Sequence, residues 1–200
     1  MIMKKTLLLI LSLLTFGITQ AQITAPAVEE KADTDVKYLA GAIQEVDGKV
    51  EINRTIDLPA GMTNTEALSI IDQWLNRCVK DARVRREIRL PQPSDNAISH
   101  SFMMEITFSQ SFLSHDWVDF NFVLTMTVAD GKVGMKMQRL RYDYTENGKV
   151  THYSGEELVS DKYALNKKKT KIFPSYKKFR IQTINLLDEL QVSLEKEFVR

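Results

Sequence analysis

Apolar and polar residues alternate along the middle of the chain, which predicts strands with one buried side and one solvent-facing side. The clearest case runs from 118 to 128, where every even position is apolar and nearly every odd position between them is polar. Alternation elsewhere predicts further strands over 50–58, 84–90, 98–108 and 133–144, with a short partner strand over 149–153. Each predicted strand has a single apolar side, so the sheet needs a cover on one face only.

Two dipeptides and one change of parity predict how these strands connect. Asp130-Gly131 and Asn147-Gly148 are typical of two-residue hairpin turns, in which both central positions need positive φ. The apolar positions of the strand over 133–144 are odd up to Met137 and even from Leu140 onward. We therefore expect a β-bulge near Gln138 to Arg139, which keeps the apolar set on one face.

Apolar residues recur every three or four positions in two other segments, which predicts helices. The first runs from Thr63 to Lys80, and Thr63 with Glu66 forms a capping box at its start. Cys78 lies on the apolar face of this helix, so we expect a buried and unreactive thiol. The second helix begins at Pro174 and carries an apolar stripe as far as Phe198.

Together these elements predict an α+β fold with the order β-α-β-β-β-β-α. A curved antiparallel sheet of about five to six strands would pack against a helix in the N-terminal half of the chain and a long C-terminal helix. We expect one domain over 38–200, in which 154–200 forms a connecting loop and the C-terminal helix.

The first 21 residues have the features of a secretory signal peptide. Lys4 and Lys5 precede an apolar run, and small residues lead up to Ala21. This run is too short for a stable membrane span, which needs about 20 apolar residues. We therefore predict cleavage between Ala21 and Gln22, a flexible leader over 22–37, and a protein exported to the periplasm or the cell exterior.

Composition excludes several kinds of chemistry. The 27 basic and 26 acidic residues nearly balance, so no overall field favours nucleic acid, and Cys78 as the single cysteine excludes an internal disulfide. The three histidines lie on different predicted segments without ligand-like spacing, and no phosphate loop or nucleophile motif is present. We therefore predict no catalytic residues, no metal and no cofactor.

Two groups of charged residues are candidate binding sites. Arg54, Arg86 and His100 each occupy an apolar-parity position of a predicted strand. They could line a pocket for an anionic or polar ligand between sheet and helix; alternatively, each lies at a strand end or pairs with a helix carboxylate such as Glu189. A basic cluster over 167–180 could bind phosphate-rich polymers or anionic lipids, or could be a solvated loop leading into a helix.

Several short runs of the chain resemble one known family. These runs are Tyr38-Leu39-Ala40-Gly41-Ala42, Asp47-Gly48-Lys49-Val50, Trp74-Leu75, Asp161-Lys162-Tyr163-Ala164-Leu165-Asn166-Lys167-Lys168 and Lys178-Phe179-Arg180. They are similar to an exported bacterial domain of unknown function with a TATA-box-binding-protein-like fold, the family numbered 4468 among such domains. The resemblance implies a curved antiparallel sheet gripping helices, and it implies no activity.

The function predicted from the sequence is therefore that of an exported, non-enzymatic binding or protein-interaction domain, whose partner is an unknown protein or small molecule. The alternative is a carrier of a small apolar or amphipathic ligand held between sheet and helix. A void of several hundred cubic ångströms there would favour the carrier.

Overall fold

The structure is a computed structural model, and it describes residues 32–110, 115–146 and 148–199. The predicted signal peptide, its cleavage site and residues 22–31 of the predicted leader lie outside the described residues, as does Asn147 of the second predicted turn. The described end of the leader contacts the domain. The N–H of Ile172 donates to the carbonyl oxygen of Asp33 at 2.9 Å, and Asp35 caps a 3₁₀ turn over Val36–Tyr38.

Within the described residues, seven strands form one antiparallel sheet in the order β1-β2-β6-β5-β4-β3, and β7 also pairs with β6. The strands are β1 (Gln44–Val46), β2 (Lys49–Asp57), β3 (Val84–Arg89), β4 (Ala97–Gln110), β5 (His115–Ala129), β6 (Lys132–Glu146) and β7 (Lys149–Ser154). Strand β1 was not predicted from the sequence.

The helices are α1 (Asn64–Cys78), α2 (Gly155–Leu158), α3 (Asp161–Ala164) and α4 (Pro174–Phe198). The predicted capping box at the start of α1 is confirmed, because the Thr63 hydroxyl accepts from the Glu66 N–H while the Glu66 carboxylate accepts from the Thr63 N–H. These two bonds satisfy backbone donors that the first helical turn would otherwise leave free.

Helices α1 and α4 cover one face of the sheet and leave the other face open, as the one-sided alternation of the strands predicts. The core lies between them. The even positions of β5 from Val118 to Val128 are buried against the helices, together with Trp74 of α1 and Leu187 of α4. The predicted α+β sheet-and-helix architecture is therefore confirmed.

The predicted hairpin and the predicted bulge are both present. Asp130 and Gly131 have φ of 51° and 69° between β5 and β6. The pairing of β6 with β5 shifts by one residue between Gln138 and Arg141, where Arg139 has a φ of 56°. This shift returns Leu140 and the tyrosine at 142 to the buried face.

The prediction of which β3 side chains face the helices is wrong after Val84. A register shift between Val84 and Arg86 places Glu87 on the helix-covered side and leaves Ile88 51% exposed on the open side. Because the side-chain period of a strand is two, an extra residue exchanges the two faces.

A fully buried arginine joins α4 to distant parts of the chain. The guanidinium of Arg180 donates to the carbonyl oxygens of Tyr38 at 2.6 Å, Leu39 at 2.7 Å and Val159, and to the Asp161 carboxylate at 2.7 Å. Burial lowers the pKa of Arg180, and Asp161 opposes this shift, so the group remains charged.

Candidate functional site: a pocket between α1, α4 and the sheet

A cavity of about 340 Å³ opens between the C-terminal end of α1, the last turns of α4, and strands β4 and β5. We call it the α1–α4 pocket. The two helices lie side by side on the sheet but separate where α1 ends at Cys78. The chain then turns through 79–83 into β3, so the gap between the helices is not filled by another element.

Apolar side chains from four elements form the interior of the α1–α4 pocket. They are Trp74, Phe102, Met104, Phe122, Leu124 and Leu190. Phe102 and Phe122 stack with ring centroids 5.4 Å apart, which holds the aromatic floor flat. An apolar floor of this kind favours a ligand with a hydrocarbon or aromatic body.

Charged side chains surround the entrance of the pocket, most of them already paired. The rim residues are Arg77, Lys80, Asp81, Arg83, Glu189 and Glu197. Arg77 lies 2.8 Å from the Glu197 carboxylate, and Arg83 donates to Glu189 at 2.6 Å and 3.0 Å and also to Asp81. The hydrogen bond from Arg83 holds the pKa of Asp81 below its usual range.

Two polar groups contact the apolar interior. The Trp74 indole N–H donates to the Ser193 hydroxyl at 3.1 Å, which connects α1 to α4 across the pocket. Cys78 is half-buried rather than fully buried as predicted, because its thiol also lines the pocket, and this burial raises its pKa to about 12. A thiol with this pKa is protonated near neutral pH, so it acts as an apolar lining group rather than as a nucleophile.

The structure does not bring Arg54, Arg86 and His100 together. Arg54 is half-buried on β2 and donates to the Asp188 carboxylate of α4 at 2.7 Å, whereas Arg86 is exposed on the open face of β3. His100 is buried on β4, where its Nδ1 contacts the Glu87 carboxylate. Strands β6 and β5 separate Arg54 from His100 by roughly 14 Å, three strand spacings.

Arg54 therefore pairs with a helix carboxylate, as the second interpretation of these residues predicts. The carboxylate is that of Asp188 and not that of Glu189. His100 keeps one unusual feature, because its Nε2 is buried without a hydrogen-bond partner among the described residues. None of the three candidates lines the α1–α4 pocket.

The basic cluster over 167–180 is dispersed by the fold. Lys171 pairs with Asp33 at 3.2 Å and Lys178 with Asp116 at 2.8 Å, while Arg180 is buried. Lys169 also lies 3.5 Å from the Asp161 carboxylate. Three carboxylates, of Asp33, Asp116 and Asp161, thus pair with four of the seven basic groups, so the cluster is not one continuous exposed basic surface.

A row of carboxylates crosses the open face of the sheet. Glu105 of β4, Asp119 of β5 and Asp143 of β6 are successive register partners, and His152 of β7 follows in the same row. Burial raises the pKa of Asp119, and its like-charged neighbours add to the shift. Arg85 pairs with Glu105, and Arg141 and His152 pair with Asp143, so among the described residues the row offers a phosphate backbone no unpaired cation.

Two other kinds of feature are absent from the described residues. No group of three or more His, Cys, Asp or Glu side chains among them is placed to hold a metal ion. In the same part of the chain, no helix has the length and hydropathy to cross a membrane.

Sequence reasoning missed the α1–α4 pocket because its lining residues are individually typical of a core. One signal was available. The α1 stripe ends at Cys78 and Val79, and a short charged segment over 80–83 leads directly into β3. The single apolar residue of this segment, Ala82, is too small to close the space beside the last helical turn.

Comparison with known proteins gives a family and two solved structures. Residues 53–143 match the family model "Domain of unknown function (DUF4468) with TBP-like fold". A DUF4468 family protein from Bacteroides ovatus, solved at 1.49 Å, is 29% identical, with a TM-score of 0.74 over 82% of this chain and 94% of that one. A TBP-like protein from Parabacteroides distasonis is 15% identical, with a TM-score of 0.62 over 78% of this chain and 97% of that one, which supports the fold alone.

No functionally curated protein matches this chain in sequence. The fold agrees with both solved structures, since each superposes on most of this chain and is covered over nearly its whole length. The resemblance predicted from the sequence is therefore confirmed: this chain is similar in sequence and in fold to the DUF4468 proteins with a TBP-like fold.

Proposed function

We propose that this protein is a non-enzymatic binding domain that carries a small amphipathic ligand in the α1–α4 pocket. The single observation that supports this function is the cavity of about 340 Å³ between sheet and helices, with an apolar interior and a charged entrance. Its volume lies at the lower end of the range for small-molecule sites, about 300 to 1,000 Å³.

The size of the cavity limits the ligand. A volume of 340 Å³ corresponds to about eleven water molecules at roughly 30 Å³ each. A ligand of about ten to twelve non-hydrogen atoms therefore fits, with its apolar part on the aromatic floor and its polar group at the rim. At about −0.5 kcal/mol per atom, its dissociation constant would be on the order of 40 to 200 μM.

The test is calorimetric titration of the mature protein with 1-octanol and octanoate. We expect saturable binding of at least one of them, and loss of that binding in Ser193→Leu, whose larger side chain fills the pocket. Val192→Leu is the matched control, because Val192 is 48% exposed on the same helix and does not line the α1–α4 pocket. Cys78→Phe fills the pocket from α1 and serves as a second blocking variant.

Two results would refute the carrier function. One is the absence of saturable binding to the wild-type protein up to 1 mM of either compound. The other is unchanged binding in both blocking variants when their melting temperatures show that they are folded. The protein-interaction function, which the sequence favours over the carrier, would place a protein partner on the open face of the sheet, leave the pocket without a ligand and give the first result.

We also propose that the protein works after export. The charged start, short apolar run and small-residue site of residues 1–21 support this localisation. The mass of the protein from culture fractions should correspond to a chain that begins at Gln22. A full-length mass in the membrane fraction would overturn the proposal.

A further inference from the structure

Strand β6 changes its partner along one edge, and this change creates a second concave site. Residues 132–138 of β6 pair with β2, and residues 141–146 pair with β7 on the same side. Arg139 and Leu140 lie between the two ladders and pair with neither. A gap therefore remains between the start of β2 and the end of β7.

The gap is a crevice of about 340 Å³, which we call the bulge crevice. The side chain of Leu140 is buried beneath it. Four basic residues from three strands line it, namely Lys49, Arg139, Arg141 and His152. Tyr153, Ser154 and Glu156 complete the lining.

Most of these basic groups already have an acidic neighbour. Arg141 lies 2.9 Å and His152 2.7 Å from opposite oxygens of the Asp143 carboxylate. Lys49 lies 4.0 Å from Glu156, whose same oxygen also accepts the Val50 N–H at 3.1 Å.

Arg139 differs from the other three. No Asp or Glu carboxylate of the described residues lies within 4 Å of its guanidinium. The bulge holds Arg139 in the left-handed region with a φ of 56°, a conformation that costs energy for any residue except glycine. Bulges of this kind re-aim side chains and are frequent beside functional sites.

We propose that the bulge crevice binds a tetrahedral oxyanion, the phosphate or sulfate group of a small ester. Guanidinium groups offer paired N–H donors that fit such an anion, and Lys49 and His152 supply further donors around it. The crevice is several times larger than the ion, so the organic part of the ester lies over Leu140 and beside Tyr153.

An extended polyanion does not fit the same site. The carboxylate row through Asp143, Asp119 and Glu105 runs across the open face from the position of His152. Along this row Arg85 pairs with Glu105, and Arg141 and His152 pair with Asp143, so a polymer that left the crevice along the sheet would meet no unpaired cation among the described residues of the row. The row therefore favours a small ester over a nucleic acid or a sulfated polysaccharide.

The test is titration of the isotopically labelled mature protein with inorganic phosphate, inorganic sulfate, phenyl phosphate and phenyl sulfate, followed by amide chemical shifts. We expect saturable shifts confined to the residues of the bulge crevice. We also expect the matching ester to bind at least five-fold more tightly than its inorganic ion. The two ester arms distinguish a phosphate source from a sulfate source.

Arg139→Gly is the decisive variant, because glycine accepts positive φ and removes the guanidinium without a cavity. It should fold with an equal or higher melting temperature and lose at least ten-fold in affinity. Arg86→Gln removes an exposed charge elsewhere on the open face and should bind as the wild type does. Affinity of Arg139→Gly within two-fold of the wild type, or shifts centred on Lys167 and Lys168 instead, would overturn the proposal.

Discussion

Replacing Arg180 with methionine tests whether the buried guanidinium holds α4 against the rest of the domain. Methionine has a similar length but donates no hydrogen bond. Arg180→Met would remove the guanidinium donor from three buried carbonyl oxygens, of Tyr38, Leu39 and Val159, although that of Leu39 also accepts the Ala42 N–H at 3.2 Å. It would also remove the guanidinium from the Asp161 carboxylate, whose side chain is 17% exposed, and would leave it with the longer contact to Lys169 at 3.5 Å.

Removing one member of a buried ion pair costs about 3 to 5 kcal/mol, because the remaining charge and acceptors keep their desolvation cost. We therefore expect Arg180→Met to lower the free energy of unfolding by this amount. With a urea m-value of about 2 kcal/mol/M, the midpoint of unfolding should fall by roughly 1.5 to 2.5 M. Circular dichroism of the mature protein in urea measures this midpoint.

Two further variants separate the ion pair from general effects. Lys196→Met likewise replaces a cationic side chain of α4 with methionine, but at an exposed position, and should shift the midpoint very little. In Arg180→Met with Asp161→Asn, the double variant should lose less than the sum of the single losses, because the carboxylate is no longer stranded. A loss below about 1 kcal/mol in Arg180→Met alone would refute the reasoning.

The remaining predictions concern packing, the thiol and the open face. A Cβ at Gly155 would lie 2.6 Å from both the Leu140 Cβ and a Val50 methyl, so Gly155→Ala should cost about 1 to 3 kcal/mol in thermal unfolding. Gly134→Ala, where the nearest atom is 3.8 Å away, is its control, and an equal loss in both variants would contradict this account. Because burial raises the pKa of Cys78 to about 12, native protein at pH 8 should react with a thiol reagent at least about 100-fold more slowly than unfolded protein, and comparable rates would show an accessible thiolate. Burial raises the pKa of Asp119, Arg85 opposes this shift, and the carboxylates of Asp143 and Glu105 add to it. The ionised carboxylate therefore destabilises the folded state at pH values above the pKa of the unfolded state. Because solvent screens this half-buried group, Asp119→Asn should stabilise the protein by only about 0.5 kcal/mol at pH 7. The gain should disappear as the pH falls below about 4, where the carboxylate is protonated, and a loss of stability at pH 7 would contradict this sign.

The sequence by itself determined the elements whose causes are local. The Thr63 and Glu66 side chains cap α1 within one helical turn, and Asp130-Gly131 supplies the positive φ that its hairpin needs. Alternation along β5 identified its buried face, and the change of parity after Met137 located the β6 bulge within two residues. Periodicity is sufficient in these cases because each pattern involves neighbours in the chain.

The tertiary structure decided which charged groups are buried and where the cavities lie. Arg180 lies in a basic stretch that is typical of a surface, yet carbonyl groups more than 140 positions earlier and 21 positions earlier surround it. One extra residue near Arg85 exchanged the faces of β3 and moved Arg86 to the solvent, a change that composition cannot signal.

Both candidate sites are also tertiary features. The α1–α4 pocket exists because two helices separate over a sheet, and the bulge crevice exists because β6 changes its partner from β2 to β7. A local pattern shows which side of an element is apolar. The spaces between elements depend on how their ends meet, and those contacts join residues that are far apart in the chain.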